Sequence, residues 1–140
     1  MLSDEQREQK KQELLAKCFE LFVKQGLENT SLNELAAYCD VHKSTMYSYL
    51  ESKDEIVIEC ARRHMLALDK LFKNVSKNPP NTLKEVLQHG FEKIVEEKSK
   101  LRFVYQVISS PLYGELAQKE LSLIYMKYVD YSEPIARIYN

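Results

Sequence analysis

The chain has 140 residues, with 20 basic side chains against 21 acidic ones for a net charge of −1, and 44% of its residues are hydrophobic. That is enough apolar material to build a core and excludes an extended disordered chain, while the near-neutral balance means that any nucleic-acid function must rest on local arrangement. No apolar run approaches the roughly 20 residues a membrane helix needs. The polar start Met1-Leu2-Ser3-Asp4-Glu5 has no signal-peptide core behind it, so the expectation is a cytoplasmic protein with no membrane partner.

Alternation with period two and Gly-rich hairpin turns are absent, and helical spacing with explicit start signals replaces them. The fold class expected is all-α. Ser3-Asp4-Glu5-Gln6 reads as a capping box, in which the serine accepts from the third amide of the helix and the glutamine reaches back to the serine amide. Ser31-Leu32-Asn33-Glu34, Ser52-Lys53-Asp54-Glu55 and Thr82-Leu83-Lys84-Glu85 repeat the pattern. The first helix, Asp4 to Gln25, sets Leu14, Leu15, Cys18, Phe19 and Phe22 on one face, and Gly26 is expected to cap it in left-handed geometry. A short helix follows from Ser31 to Tyr38, then a turn at Cys39-Asp40-Val41, then a second short helix from His42 to Leu50.

Ser52 opens a long helix to about Val75, and Asn78-Pro79-Pro80-Asn81 ends it, because proline neither continues a helix nor favours helical geometry before it. The next helix, Thr82 to about Lys98, is expected to bury Leu83, Val86, Leu87, Gly90, Phe91 and Ile94. One from Ser99 to Ser109 is apolar on most sides and should be central. After Pro111 comes a helix from Tyr113 to Tyr131, and Ser132-Glu133-Pro134 opens another inside which the chain stops at Asn140, so the sequence reads as a fragment. Two domains are expected, 1–52 as a head and 53–140 as a partial helical regulatory domain.

Cys18, Cys39 and Cys60 are odd in number and widely spaced, without a CxxC or Cys-His cluster. They read as reduced packing residues, with no metal and no cofactor implied. Paired carboxylates, a Ser/His/Asp set and a Gly-rich phosphate loop are all missing, and His42, His64 and His89 lie on separate elements, so an enzyme is not expected.

Two short helices joined by a three-residue turn and packed on a longer one describe a helix-turn-helix. Leu21-Phe22-Val23-Lys24-Gln25-Gly26-Leu27, Thr30-Ser31-Leu32-Asn33-Glu34-Leu35-Ala36, Val41-His42-Lys43-Ser44-Thr45-Met46-Tyr47-Ser48-Tyr49-Leu50 and Ser52-Lys53-Asp54-Glu55-Ile56 are the segments that carry a resemblance. From Glu8 to about Met65, without gaps, the chain resembles the head of the TetR/AcrR family of transcriptional regulators. Ser31, at a helix start, offers amides and a hydroxyl to a phosphate. Lys43, Ser44, Thr45 and Ser48 lie on the outer side of the second short helix, short enough to approach base edges or phosphates. The resemblance implies that Tyr47 contacts the DNA backbone, that Tyr49 packs toward the core and that Lys53 meets a phosphate. Asp40 stands where the family usually has Gly, and His42 replaces the usual Ser or Thr cap; its imidazole is a further candidate for DNA contact.

Met1 to Lys53 holds seven Lys/Arg and nine Asp/Glu, whereas His42 to Lys53 is locally +1. The resemblance also implies a homodimer on a palindromic double-stranded DNA operator and release by a small-molecule effector, with repression the family's usual mode. His64, His89, Phe103, Tyr105, Tyr113 and Tyr128 are candidate walls and polar handles for an effector pocket. The acidic head, Asp40 and His42 favour a second reading: a helical sensor or adaptor that keeps the head's fold and binds protein.

Overall fold

A computed structural model describes residues 1–78 and 80–124. Its elements are α1 (Asp4–Gln25), α2 (Leu32–Tyr38), α3 (Lys43–Tyr49), α4 (Lys53–Lys77), α5 (Leu83–Glu96) and α6 (Lys98–Ser109). A further helical stretch covers 114–124. Among the described residues no strand is present, and the class is all-α. Pro79, the end of the helix expected from Tyr113 and the one expected at Ser132 lie outside the described residues.

The start signals work in two ways. At Ser3 and Ser31 both halves of the capping box form: each serine hydroxyl accepts from the third amide, and Gln6 or Glu34 accepts from the serine amide. At Ser52 and Thr82 only the first half does, with the hydroxyl accepting from Glu55 and Glu85. There the carboxylate reaches one residue further back, to the amides of Glu51 and Asn81. Gly26 closes α1 with its N–H on the Phe22 carbonyl at 2.8 Å. Its φ of 93° with ψ of 149° is an extended, glycine-favouring conformation rather than the left-handed helical one expected. The difference lets the Thr30 hydroxyl donate to the Gly26 carbonyl at 2.8 Å, which satisfies a buried side chain.

Residues Met1–Ala61 pack as one unit. Its core is Leu14, Leu15, Cys18 and Phe22 of α1, Leu35 and Ala36 of α2, Met46 and Leu50, and Ile56, Val57 and Cys60 from the first turns of α4. All three cysteines are buried, and none forms a disulfide. The Cys18 and Cys39 sulfurs lie 3.8 Å apart, and the Cys60 thiol donates to the Leu15 carbonyl at 3.5 Å. The hydrogen bond shared with Cys39, reinforced by burial, pushes the Cys18 thiol up, so it packs as a neutral group.

The second unit begins at Arg62. Met65 of α4, Phe103, Val104 and Val107 of α6, and Tyr113, Ala117, Leu121 and Ile124 are its buried apolar residues. Arg62 fastens α4 to the last stretch, donating to the Glu120 carbonyl at 3.3 Å beside its carboxylate at 3.7 Å. Gly114 is a point of close approach, where a Cβ would stand 2.7 Å from the Ile108 carbonyl oxygen.

Two burial expectations are corrected here. The apolar row of α5 is not buried: Leu83, Leu87, Phe91 and Ile94 are exposed, Phe91 by 69%, and Gly90 faces open space. Periodicity specifies which face a helix would bury, but burial needs a covering element, and none of the described residues covers this one. Likewise α6 is one-sided rather than central, with Tyr105 71% and Ile108 48% exposed.

Candidate nucleic-acid interface

The helix-turn-helix is built from the C-terminus of α2 onward. Cys39 ends the helix with its N–H on the Leu35 carbonyl at 3.0 Å. Asp40 then turns left-handed at φ 54°. Its N–H meets the Ala37 carbonyl at 3.1 Å, and the Val41 N–H meets that of Ala36 at 3.1 Å. These two bonds form a complete Schellman motif, with aspartate in the position that glycine usually takes. The turn therefore has the geometry that the Gly-bearing pattern requires, at the cost of a left-handed L-residue.

His42 begins α3 in extended geometry and makes no side-chain capping bond. Nothing ties its exposed imidazole to the first turn, as expected of a residue replacing Ser or Thr. On α3, Met46 is fully buried and Leu50 closes the helix as a second buried anchor. Lys43, Ser44, Tyr47 and Ser48 face outward, and Thr45 and Tyr49 are half-buried at the edges. The Lys43 ammonium sits 5.8 Å above the Tyr47 ring, and the Ser48 hydroxyl donates to the Thr45 carbonyl at 2.6 Å, which keeps its oxygen available as an acceptor.

Arg7 adds a contact that the sequence pattern does not signal. Its guanidinium lies 4.9 Å over the Tyr49 ring and donates to the Ser48 carbonyl at 3.1 Å, tying the start of α1 to the end of α3. No local pattern signals a contact across 41 residues; Arg7 simply reads as part of a polar helix face.

Ser31 is less open than its position at a helix start implies. Its amide donates to the Glu34 carboxylate at 2.7 Å, and its hydroxyl oxygen accepts from the Glu34 amide at 3.2 Å. Those bonds from Ser31 hold the Glu34 carboxyl below the usual carboxylate range. What Ser31 still offers a phosphate is its hydroxyl proton. Lys53, half-buried at the start of α4, has its ammonium pKa lowered by burial, against the pull of Asp54, Glu28 and Glu34.

Residues 14–60 match the family model described as "Bacterial regulatory proteins, tetR family". The match lies on the helix-turn-helix head and covers about a third of the chain. Over 96 residues, 64% of this chain, it is 25% identical to the uncharacterized HTH-type transcriptional regulator YerO of Bacillus subtilis (strain 168). The chain spans about a third of the length of that curated relative, the match covering 33% of it. A solved transcriptional regulator from Aquifex aeolicus VF5, described as TerR/AcrR family, has the same fold, with a TM-score of 0.67 and 21% identity over 88% of this chain and 71% of that one. For a tetR-family head, α3 is the second helix of the helix-turn-helix.

In the second unit the effector-site candidates separate. His64 is 9% exposed and meets Phe103 edge-to-face at 6.2 Å between ring centroids. Burial first, then the positive charges of Lys100 and Arg63, lowers its pKa to about 4, so the imidazole is neutral at physiological pH. It lines a cleft of about 250 Å³ between α4, the end of α5 and the start of α6. Phe103 and Tyr113 are buried, Tyr105 and His89 are exposed, and Tyr128 lies outside the described residues. Among the described residues no group of three His, Cys, Asp or Glu is disposed to hold a metal ion, and no helix is long and apolar enough to cross a membrane.

Proposed function

We propose that this chain is a tetR-type regulator that acts in the cytoplasm as a ligand-released repressor, binding a palindromic double-stranded DNA operator as a homodimer with α3 in the major groove. The observation that supports the reading best is the outward row Lys43, Ser44, Tyr47 and Ser48 on a short helix whose opposite side is anchored by Met46 and Leu50. Such a helix presents side chains to DNA in a fixed register. In this reading Lys43 and Lys53 neutralise phosphates, while Tyr47 and the Ser31 hydroxyl position the backbone. Ser44, Thr45, Ser48 and His42 approach base edges. One seven-residue helix reads few base pairs, so a two-fold pair of heads supplies the remaining contacts. Release follows when an effector binds more tightly to a conformation whose heads are mis-spaced for the operator; equal affinity for both states would release nothing.

The test is DNA binding across a salt series, with DNA flanking the protein's own gene and the Lys43→Ala/Lys53→Ala variant beside the wild type. Affinity should fall steeply with salt, and the variant, which loses two phosphate contacts from each of two heads, should bind more weakly with a slope smaller by about four. The acidic balance of the head and the Glu34 carboxylate on the Ser31 amide favour the second reading, a protein-binding adaptor. Absence of DNA binding by the folded chain at every salt concentration would favour the adaptor over the repressor.

A further inference from the structure

The cleft beside His64 combines an apolar floor with an excess of positive charge at its rim. Ala67, Leu68, Leu71 and Leu101 supply the floor. Three ammonium groups, from Lys70, Lys93 and Lys100, stand against one carboxylate, that of Glu97. Glu97 is the joint between α5 and α6, and it is shared between Lys100 at 2.5 Å and Lys93 at 3.5 Å. Lys93 has a second partner in Glu96 at 2.9 Å. Even with both glutamates counted, three cations meet two anions, an excess of one. The lowered pKa of His64 has the same sign, since Lys100 and Arg63 add a positive field to the effect of burial.

We infer that this cleft is a binding site for a small amphipathic monoanion: one carboxylate, sulfonate or similar group held by Lys70 and Lys100, with a short apolar chain over the leucine floor. The volume of about 250 Å³ lies below the range of drug-sized pockets, which points to a ligand of few heavy atoms. A cation meets the excess positive charge, and a neutral chain gains only the floor. A dianion leaves one charge unanswered. This inference names a ligand class for the effector proposed above and rests on that reading only for its biological sense, because the binding is measured on the protein without DNA.

The experiment is isothermal titration calorimetry of the full chain with octanoate below its micelle-forming concentration, beside 1-octanol and octylammonium. Octanoate should bind at one site at least about tenfold more tightly than either control. Lys70→Gln and Lys100→Gln should each weaken octanoate about fivefold or more with helicity by circular dichroism unchanged, and should leave the weak octanol binding where it was. The His64 imidazole resonances should shift during the octanoate titration but not in an equal titration with acetate. Equal binding of octanol and octanoate, or unaltered octanoate binding in both folded lysine variants, would overturn the inference. So would an octanoate titration that leaves the His64 resonances in place. Because none of these readouts involves an operator, failure of DNA binding and failure of the cleft are seen separately.

Discussion

Replacing His64 by leucine should remove one specific component of the protein's acid sensitivity. In the folded chain the imidazole is 9% exposed, edge-on to Phe103 at 6.2 Å, with its pKa lowered from 6.5 to about 4. The unfolded chain takes up the proton near its ordinary value, the native state only near 4, so the unfolded state binds more protons between the two. Stability is therefore undiminished above pH 6.5, falls as pH drops from 6.5 toward 4, and loses nothing more from this residue below that. The gap of about 2.5 units at 1.36 kcal/mol each amounts to about 3 kcal/mol. Leucine cannot titrate, and carboxylates common to both proteins cancel when the two are compared. Urea unfolding of wild type and His64→Leu at pH 7.5, 6.0, 5.0 and 4.0 should give a stability difference that moves by about 3 kcal/mol in the variant's favour toward low pH. An NMR titration of the wild-type imidazole should place its midpoint near 4. Parallel pH curves for the two proteins, or a midpoint near 6.5, would refute the burial argument.

Other substitutions test the head and the helices. Asp40→Gly relieves the left-handed L-residue while keeping the Schellman bonds, and should stabilise the protein by up to about 1 kcal/mol in thermal unfolding; a loss of stability would mean that the Asp40 side chain, not the backbone, holds the turn. Glu34→Gln preserves the capping bonds to Ser31 but removes a negative charge from the proposed phosphate face. DNA affinity at low salt should rise roughly two- to fivefold, and an unchanged or lower affinity counts against Ser31 and Lys53 as phosphate contacts. Two glycines should respond in opposite directions. Gly90→Ala, in open space within α5, should raise stability by about 1 kcal/mol through helix propensity. Gly114→Ala should lower it by about 1–3 kcal/mol, because its Cβ meets the Ile108 carbonyl oxygen at 2.7 Å. Melting temperatures of the pair settle both, and a tolerated alanine at 114 would show that the chain there yields.

What could be read from residue order alone is what depends on neighbours a few positions away. The Ser3 and Ser31 caps, the breaks near Pro79 and Pro111, and the inward faces of α1, α2 and α3 follow from hydrogen bonds and side-chain spacing within one or two turns. The left-handed turn at Asp40 and the uncapped start at His42 are instead expected from the family resemblance, as departures from its usual Gly and Ser or Thr. Contacts between distant positions were not legible. Arg7 meets Ser48 and Tyr49 across 41 residues, and the short approach of Gly114 to Ile108 depends on a bend between helices. The leucine and phenylalanine row of α5 has the period of a buried face and is nonetheless exposed, since a pattern states what a helix can bury while only a neighbouring element buries it. The same holds for the cleft: aromatic residues invite selection from sequence, but the wall beside His64 is made of leucines and lysines from α4, α5 and α6, brought together by tertiary packing.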